Sequence, residues 1–174
     1  MTVAPFRNHL PVKIRFGEGV AADLASVLAD EGSTRPLIVI DQGLEGLVAE
    51  VAAAIAPLTG AERFEKEPGE PTVTLVEEAA ARLSDTGCDA VVAIGGGSAM
   101  DTAKAGRLVA GQGERYLRFA RGEVAYTPPT IPLVCMPTTA GTGSEVSGGA
   151  VITDDATHTK AGIASPLLRA QHAL

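Results

Sequence analysis

The stretch Ala90–Lys104, AVVAIGGGSAMDTAK, decides the fold of this chain of 174 residues. It opens with small and β-branched apolar residues, a composition typical of a buried strand, and continues with Gly95, Gly96, Gly97 and Ser98 before a helix-compatible segment. Because glycine has no Cβ, the backbone can turn sharply here and let a phosphate approach the N–H groups at the helix N-terminus, where the dipole favours negative charge. The pattern predicts a strand–turn–helix unit that binds the diphosphate of a nucleotide.

A purely structural interpretation of the same residues is also open. Ser98 and Asp101 have the spacing of a capping box, in which both side chains satisfy N–H groups of the first helical turn. The glycines can serve only as a tight turn, and the pattern is neither the G-x-G-x-x-G fingerprint nor the P-loop. Taken alone, the motif does not distinguish phosphate binding from a plain turn.

Strands and helices alternate along the rest of the chain. Apolar runs and apolar–polar alternation predict strands at 12–16, 37–40, 90–94 and 131–136, and a short one within 61–71. Helical apolar spacing predicts helices over 20–32, 44–55, 73–83 and 98–110, with a long polar connection at 111–129 and a β-hairpin within 151–163. This alternation predicts an α/β fold in one domain, residues 1–174: a Rossmann-like, mostly parallel sheet with helices on both faces, plus the hairpin.

Composition and charge exclude several classes of protein. The net charge of −7 argues against nucleic acid as a partner. No stretch approaches the roughly eighteen apolar residues that span a bilayer, and the N-terminus has no apolar export signal, so we expect a cytoplasmic protein without membrane contact. Cys88 and Cys135 lie in or beside apolar runs and are expected to be reduced core residues. The histidines lack the spacing of metal ligands, so no metal site is predicted in this chain.

Three loops are expected at the carboxyl ends of parallel strands, where such sheets bind ligands: 41–43, 95–98 and 137–147. Asp41 follows an early strand, where a carboxylate can accept hydrogen bonds from both hydroxyls of an adenosine ribose. It would repel a ribose 2′-phosphate and so favour NAD over NADP. Asp41 could equally cap the helix that begins near Leu44.

The third loop is rich in hydroxyl groups. Thr138, Thr139, Thr142, Ser144 and Ser147 can donate hydrogen bonds to adenine, ribose or phosphate. A loop of threonine and glycine without any ligand is equally compatible with this composition.

The motif GGGSAMDTAK, followed about forty residues later by PTTAGTGSEVSGGAVITD, closely resembles the iron-containing (group III) alcohol dehydrogenase family. The patterns of that family read roughly GGGSxxDxAK and PTTAGTGSEV. VIDQGL at 39–44 and Lys160 match as well, so the resemblance covers nearly the whole chain. It implies the nucleotide-binding domain of an NAD(P)-dependent oxidoreductase that interconverts a small alcohol and its aldehyde or ketone.

The resemblance also implies which residues contact the cofactor. These are Asp41 (adenosine ribose), Gly95, Gly96, Gly97 and Ser98 (diphosphate), Asp101 and Lys160 (nicotinamide ribose), Thr138, Thr139 and Thr142 (adenine and phosphates) and Val151 (nicotinamide side). Lys160 could instead be an ordinary surface lysine on a hairpin. One departure is Glu70-Pro71-Thr72, where many relatives have Asn-Pro-Thr, so a contact made by that Asn is not expected here.

A second departure concerns the metal. The family binds Fe²⁺, or sometimes Zn²⁺, through an Asp and three His of a helical C-terminal domain, and these ligands would fall after residue 174. Because the metal polarises the alcohol oxygen, we expect this chain alone to bind NAD without turnover. The uncovered face toward that domain predicts self-association into a homo-oligomer. Two alternatives are open: a non-catalytic nucleotide-binding module, and an enzyme of the related glycerol dehydrogenase or maleylacetate reductase type.

Overall fold

The computed structural model describes residues 9–174, so residues 1–8, part of the N-terminus expected to lack an export signal, lie outside the described part. The strands are β1 (Lys13–Ile14), β2 (Pro36–Asp41), β3 (Glu62–Lys66), β4 (Ala90–Gly95), β5 (Leu133–Pro137), β6 (Gly149–Asp154), β7 (Thr159–Ala164) and β8 (His172–Ala173). The α-helices are α1 (Leu24–Asp30), α2 (Leu44–Leu47), α3 (Ala49–Ile55), α4 (Val73–Asp85), α5 (Gly97–Val109) and α6 (Tyr116–Ala120).

Six of the strands form one parallel sheet in the order β1-β8-β5-β4-β2-β3, and β6 and β7 form a separate antiparallel hairpin. Alternate residues of β2 show how the sheet is covered. Ile38 and Ile40 pack into a core with α1 and α3 on one face. Leu37 and Val39 pack into a second core with α4 and α5 on the other face. The predicted α/β fold, with helices on both faces and a hairpin, is confirmed.

The connections create a crevice between β2 and β4. These strands are neighbours, with Ile40 opposite Ile94. The chain leaves β2 into α2 and α3, and α3 packs on one face of the sheet. It leaves β4 into α5, which packs on the other face. Connections that diverge in this way open a crevice beyond the carboxyl ends of the two strands, the usual ligand position in such sheets.

A further layer covers α4 and α5 and corrects one prediction. The segment 111–129, expected to be a polar connection, contains α6, whose Tyr116 and Phe119 are buried against the hairpin and the two long helices. The Tyr116 hydroxyl donates to the carbonyl oxygen of Ala161 on β7 at 3.0 Å. The two aromatic residues lie three apart, which is the spacing of one helical face, but the surrounding charged residues hide that signal. Arg115 and Arg118 of this segment form surface ion pairs with Glu77 and Glu114.

Two other details differ from the sequence-based expectation. The helix predicted over 44–55 is two helices, because Val48 has an extended backbone (φ −123°, ψ 102°) between α2 and α3. The chain also ends in a strand, β8, inserted between β1 and β5, whose two residues are too few to give a pattern.

Both cysteines are buried and free, as predicted. Burial raises the pKa of the Cys135 thiol to about 12, so this side chain is an inert part of the core. Within the described residues, no helix has the length and apolar character needed to cross a bilayer.

Candidate functional site

The glycine turn after β4 is shaped around the side chain of Asp41. The N–H of Gly96 donates to Asp41 Oδ2 at 3.2 Å. Gly95 has a φ of 148°, and a Cβ at this position would collide with that carboxylate and with Ala99. Only glycine therefore lets β2 and β4 end side by side with the carboxylate between them. Gly43, and not Asp41, occupies the N-cap position of α2, so the capping interpretation of Asp41 is wrong.

The first turn of α5 is left open toward this crevice. Its N-cap residue is Gly96, which has no side chain to accept hydrogen bonds from the turn. The Ser98 hydroxyl donates to the carbonyl oxygen of Gly69 at 2.7 Å, and Asp101 bonds elsewhere, so the capping-box interpretation is wrong. Free N–H groups at a helix N-terminus attract an anion, so this turn can accept a negatively charged group.

The threonine-rich loop that follows β5 lies against the glycine turn. A Cβ built on Gly96 would be 3.4 Å from Thr139 Oγ1, and one built on Gly97 would be 3.4 Å from Thr142 Cγ2. The N–H of Thr138 donates to the carbonyl oxygen of Gly95 at 2.9 Å. All three threonine side chains are exposed. The loops predicted to share one crevice do meet there, with hydroxyl groups on the side of the threonine loop.

Asp101 has a different environment from the one predicted. Its Oδ1 accepts from the Ser144 hydroxyl at 2.7 Å, and its Oδ2 accepts from the N–H of Val151 at 2.9 Å. The buried Lys104 amine lies 3.8 Å from the same carboxylate and donates to Ser144 Oγ and to the carbonyl oxygen of Gly149, at 2.7 and 3.0 Å. Asp101 and Lys104 thus join α5 to the threonine-rich loop and to β6. A contact of Asp101 with the nicotinamide ribose stays a prediction.

Burial lowers the pKa of Lys104, and the negative charge of Asp101 opposes this shift. The Asp101 carboxylate is only partly exposed, and the lysine side chain is fully buried. The pair is therefore part of the internal structure that holds the site together.

The hairpin brings Lys160 to the edge of the site. Its Nζ pairs with the Glu70 carboxylate and donates to Thr153 Oγ1 at 2.9 Å. The hydrogen bond from Lys160 lowers the pKa of Glu70, and a second one from Thr153 acts in the same direction. Glu70, which stands where many relatives have Asn, thus takes Lys160 as its partner. Val151 on β6 is 49% exposed, so its side chain is free to contact a ligand.

Sequence reasoning missed Lys66. This residue ends the edge strand β3, directly opposite Asp41 in the parallel register. Its side chain is fully buried, and its Nζ lies 3.3 Å from Asp41 Oδ1. The segment ERFEK alternates like any half-exposed strand, so only the register between β2 and β3 shows that this lysine faces the site.

The described residues, 9–174, do not fit the metal that the resemblance implied. Among residues 9–174 there is no group of three or more His, Cys, Asp and Glu side chains placed to hold a metal ion. His172 is buried in β8, where its Nε2 lies 2.7 Å from Glu31 Oε1, and it belongs to no such group of ligands.

Comparison with known proteins gives a consistent result. A family model described as iron-containing alcohol dehydrogenase matches residues 11–174. An NAD-dependent methanol dehydrogenase of Bacillus methanolicus is 41% identical over 155 residues, which are 87% of this chain and 40% of that protein. A 4-hydroxybutyrate dehydrogenase of Cupriavidus necator is 39% identical over 140 residues, which are 77% of this chain and 36% of the relative.

The fold also matches solved structures. A sulfoacetaldehyde reductase from Bifidobacterium kashiwanohense, solved in complex with NAD⁺, superimposes with a TM-score of 0.89 at 29% identity. The match covers 98% of this chain and 46% of that one. The chain thus spans less than half the length of each of these relatives.

Proposed function

Because the chain belongs to the iron-containing alcohol dehydrogenase family, we propose that it binds NAD in the crevice between β2 and β4, within an oxidoreductase that interconverts an alcohol and its aldehyde or ketone. One observation carries the proposal. The uncapped first turn of α5 faces the same crevice as the Asp41 carboxylate. A site for an anion therefore lies beside a carboxylate that can accept hydrogen bonds from ribose hydroxyls.

Each part of the crevice has a chemical role in this proposal. The N–H groups at the Gly96–Ser98 turn bind the diphosphate, and Thr138, Thr139 and Thr142 donate to the phosphates and the adenosine. Asp41 accepts from the hydroxyls of the adenosine ribose. Bound NAD supplies the nicotinamide ring that accepts or returns a hydride.

The hairpin holds the other end of the cofactor. Val151 packs on the nicotinamide side, and Lys160 and Asp101 lie toward the nicotinamide ribose. The family relatives named above are consistent with a small alcohol or aldehyde as the substrate.

Asp41 also sets the preference between cofactors. Its carboxylate would lose its diol partner and face a like charge if the ribose carried a 2′-phosphate. We therefore propose that NAD binds more tightly than NADP.

Metal-dependent turnover needs ligands that residues 9–174 do not provide. We accordingly expect the 174-residue chain to bind the cofactor without oxidising alcohols, and Fe²⁺ or Zn²⁺ to act only where a second domain supplies the ligands. Alcohol oxidation by the isolated chain, measured as NADH formation, would contradict this expectation.

Binding is tested by titrating the chain with NADH and following nicotinamide fluorescence, with ADP-ribose and adenosine as competitors. ADP-ribose should displace NADH, and adenosine, which lacks the diphosphate, should compete poorly. Failure of NADH to bind, or displacement by adenosine as effective as by ADP-ribose, would refute the diphosphate site.

A matched pair of glycine variants locates the site. The methyl group added by Gly96→Ala would stand 3.4 Å from Thr139 Oγ1, in the gap between the two loops, and should weaken NADH binding about tenfold. Gly46→Ala adds the same group in open space on α2 and should leave the affinity unchanged. Equal affinities in the two variants would place the cofactor elsewhere.

A further inference from the structure

The buried Lys66 amine has two backbone acceptors and one acidic neighbour. Its Nζ donates to the carbonyl oxygens of Glu67 and Gly69, at 2.6 and 3.1 Å, and pairs with Asp41 Oδ1 at 3.3 Å. Its side chain is fully buried, whereas the side chain of Asp41 is 27% exposed. The positive charge is therefore hidden behind the carboxylate, and the carboxylate alone faces the crevice.

We propose that Lys66 is a specificity-determining residue of the nucleotide site: it holds the Asp41 carboxylate in position for a ribose diol, and it becomes a ligand for a ribose 2′-phosphate when that carboxylate is removed. This inference rests on the proposed NAD site. It concerns a residue outside both of the glycine-rich and threonine-rich motifs.

The first half of the proposal follows from how Asp41 is held. The Lys66 ammonium group attracts Oδ1 across 3.3 Å, and the N–H of Gly96 donates to Oδ2, so both oxygens of the carboxylate are held at the crevice. The remaining lone pairs of the Asp41 carboxylate therefore point in a fixed direction, into the crevice. Two adjacent hydroxyls fit such an acceptor, because each can donate to one oxygen without any loss of side-chain freedom on binding.

The second half follows from charge. A buried ammonium group needs a counter-charge, and the described structure supplies Asp41 Oδ1 as the nearest one. If Asp41 is replaced by a small neutral residue, the uncompensated positive charge of Lys66 lies beside the space that the carboxylate occupied. A phosphate group on the ribose is an anion with several acceptor oxygens, so it would complete the pair that the substitution broke.

A merely structural role for Lys66 predicts something different. Its bonds to Glu67 and Gly69 anchor the loop between β3 and α4, and Ser98 binds the same loop through Gly69. Loss of that anchor would affect both cofactors alike. Only a role through Asp41 makes the ratio of the two affinities depend on Lys66.

The experiment is a double-mutant cycle read out as the dissociation constants of NADH and NADPH. The variants are Asp41→Ala, Lys66→Gln and the double variant, with the melting temperature measured for each. Lys66→Gln removes the charge but keeps amide protons for the loop carbonyls. Lys13→Gln, an exposed lysine in β1 at the opposite edge of the sheet, is the matched control and should change neither constant.

We expect Asp41→Ala to lower the ratio of the NADPH to the NADH dissociation constant at least about tenfold, through tighter NADPH binding. Adding Lys66→Gln should abolish that gain in NADPH affinity and leave the NADH affinity as it is in Asp41→Ala. Lys66→Gln alone should weaken NADH binding roughly threefold, because Asp41 is no longer held.

Equal NADPH affinities in Asp41→Ala and the double variant would overturn the inference while leaving the NAD site intact. If the wild-type chain binds neither dinucleotide, the proposed function fails, and this inference fails with it. If Lys66→Gln does not fold, Lys66→Met takes its place in the cycle. Unfolding of both variants would assign Lys66 to the fold alone and overturn the proposal.

Discussion

Two carboxylates, Asp41 and Asp101, were both predicted to hold a ribose of the cofactor, yet the structure gives them opposite surroundings. Asp41 accepts one hydrogen bond from the backbone and pairs with Lys66, and part of it faces the crevice. Asp101 has each oxygen bound by the chain itself, one by Ser144 and one by Val151. An acidic residue in a binding motif can therefore be available to a ligand or can hold the surrounding loops together, and its hydrogen-bond partners distinguish the two roles.

The largest effect is expected at Asp101. Replacing it by Ala removes two accepted hydrogen bonds and leaves the buried Lys104 amine without its counter-charge, so the free energy of unfolding should fall by about 3 kcal/mol. Denaturant unfolding measures this change. Asp101→Ala combined with Lys104→Met should recover part of the loss, because no charge is then left unpaired. A loss of less than about 1 kcal/mol in the single variant would show that Asp101 does not hold the loops.

The corresponding substitution at the other carboxylate should affect binding more than stability. Asp41→Asn keeps the shape of the side chain but removes the charge that accepts from a diol, so NADH affinity should fall about tenfold. The free energy of unfolding should fall by less than in Asp101→Ala. The buried Lys66 amine loses its counter-charge, but it keeps its bonds to the carbonyl oxygens of Glu67 and Gly69, and the amide oxygen can still accept from the N–H of Gly96. Titration with NADH and unfolding of the same variant test both statements. If Asp41→Asn lost stability but kept its affinity for NADH, Asp41 would be the structural residue of the two.

A smaller effect, a dependence of stability on pH, is expected at Lys104. Burial lowers the pKa of Lys104 below its ordinary 10.5, with Asp101 opposing the shift. Between the lowered value and 10.5 the unfolded chain binds more protons at this residue than the folded chain does, so its contribution to stability rises with pH across that window.

The measurement is the difference in unfolding free energy between the wild type and Lys104→Met, followed from about pH 8 to about pH 10. The difference should shift in favour of the wild type as pH rises. The exposed Lys13, replaced by Met in a control variant, should show no such trend. A constant or falling difference for Lys104 would mean that its amine is not destabilised by burial.

The smallest effect is expected at the rim. Glu70→Asn removes a negative charge beside an anionic cofactor and frees Lys160, so NADH should bind about two- to threefold more tightly. The gain should shrink as salt is added, because both groups are largely exposed. Unchanged affinity at low salt would indicate that Lys160 does not approach the cofactor. The variant leaves Asp41 and Asp101 untouched, so it tests the hairpin side of the site separately.

The sheet and its crevice were predictable because their signals are local. The apolar runs that became β2, β4 and β5 are continuous, and the glycine turn with its helix lies within one short segment. Parallel sheets bind ligands at the carboxyl ends of their strands, and this rule predicts from the sequence alone that Asp41 and the glycine turn lie together, as the Gly96–Asp41 hydrogen bond confirms.

What could not be predicted depends on partners distant in sequence. Asp101 reaches Val151 across 50 positions, and Lys66 meets Asp41 only through the strand register. The Asp101–Lys104 spacing, three residues apart on one helix, did carry a signal for an internal ion pair. The same residues belong to a motif that resembles a cofactor site, so the spacing alone does not distinguish an internal ion pair from ligand contacts. The helix at Tyr116 was missed for a different reason, since its charged neighbours mask two buried aromatic residues.

The backbone of Gly95 has a consequence for sequence change over time. Its φ of 148° strains any side chain at this position, and a Cβ would also collide with Asp41 and with Ala99 of α5. A Cβ would fit at the next two glycines. Gly96 has an ordinary φ of −82°, and a Cβ on Gly96 or Gly97 would be no closer than 3.4 Å to its neighbours. In a descendant that no longer uses a nucleotide, drift would erase the second and third glycines while the first persisted. Gly95 is therefore expected wherever this turn is kept, whereas Gly96 and Gly97 are expected only where the crevice still binds a nucleotide.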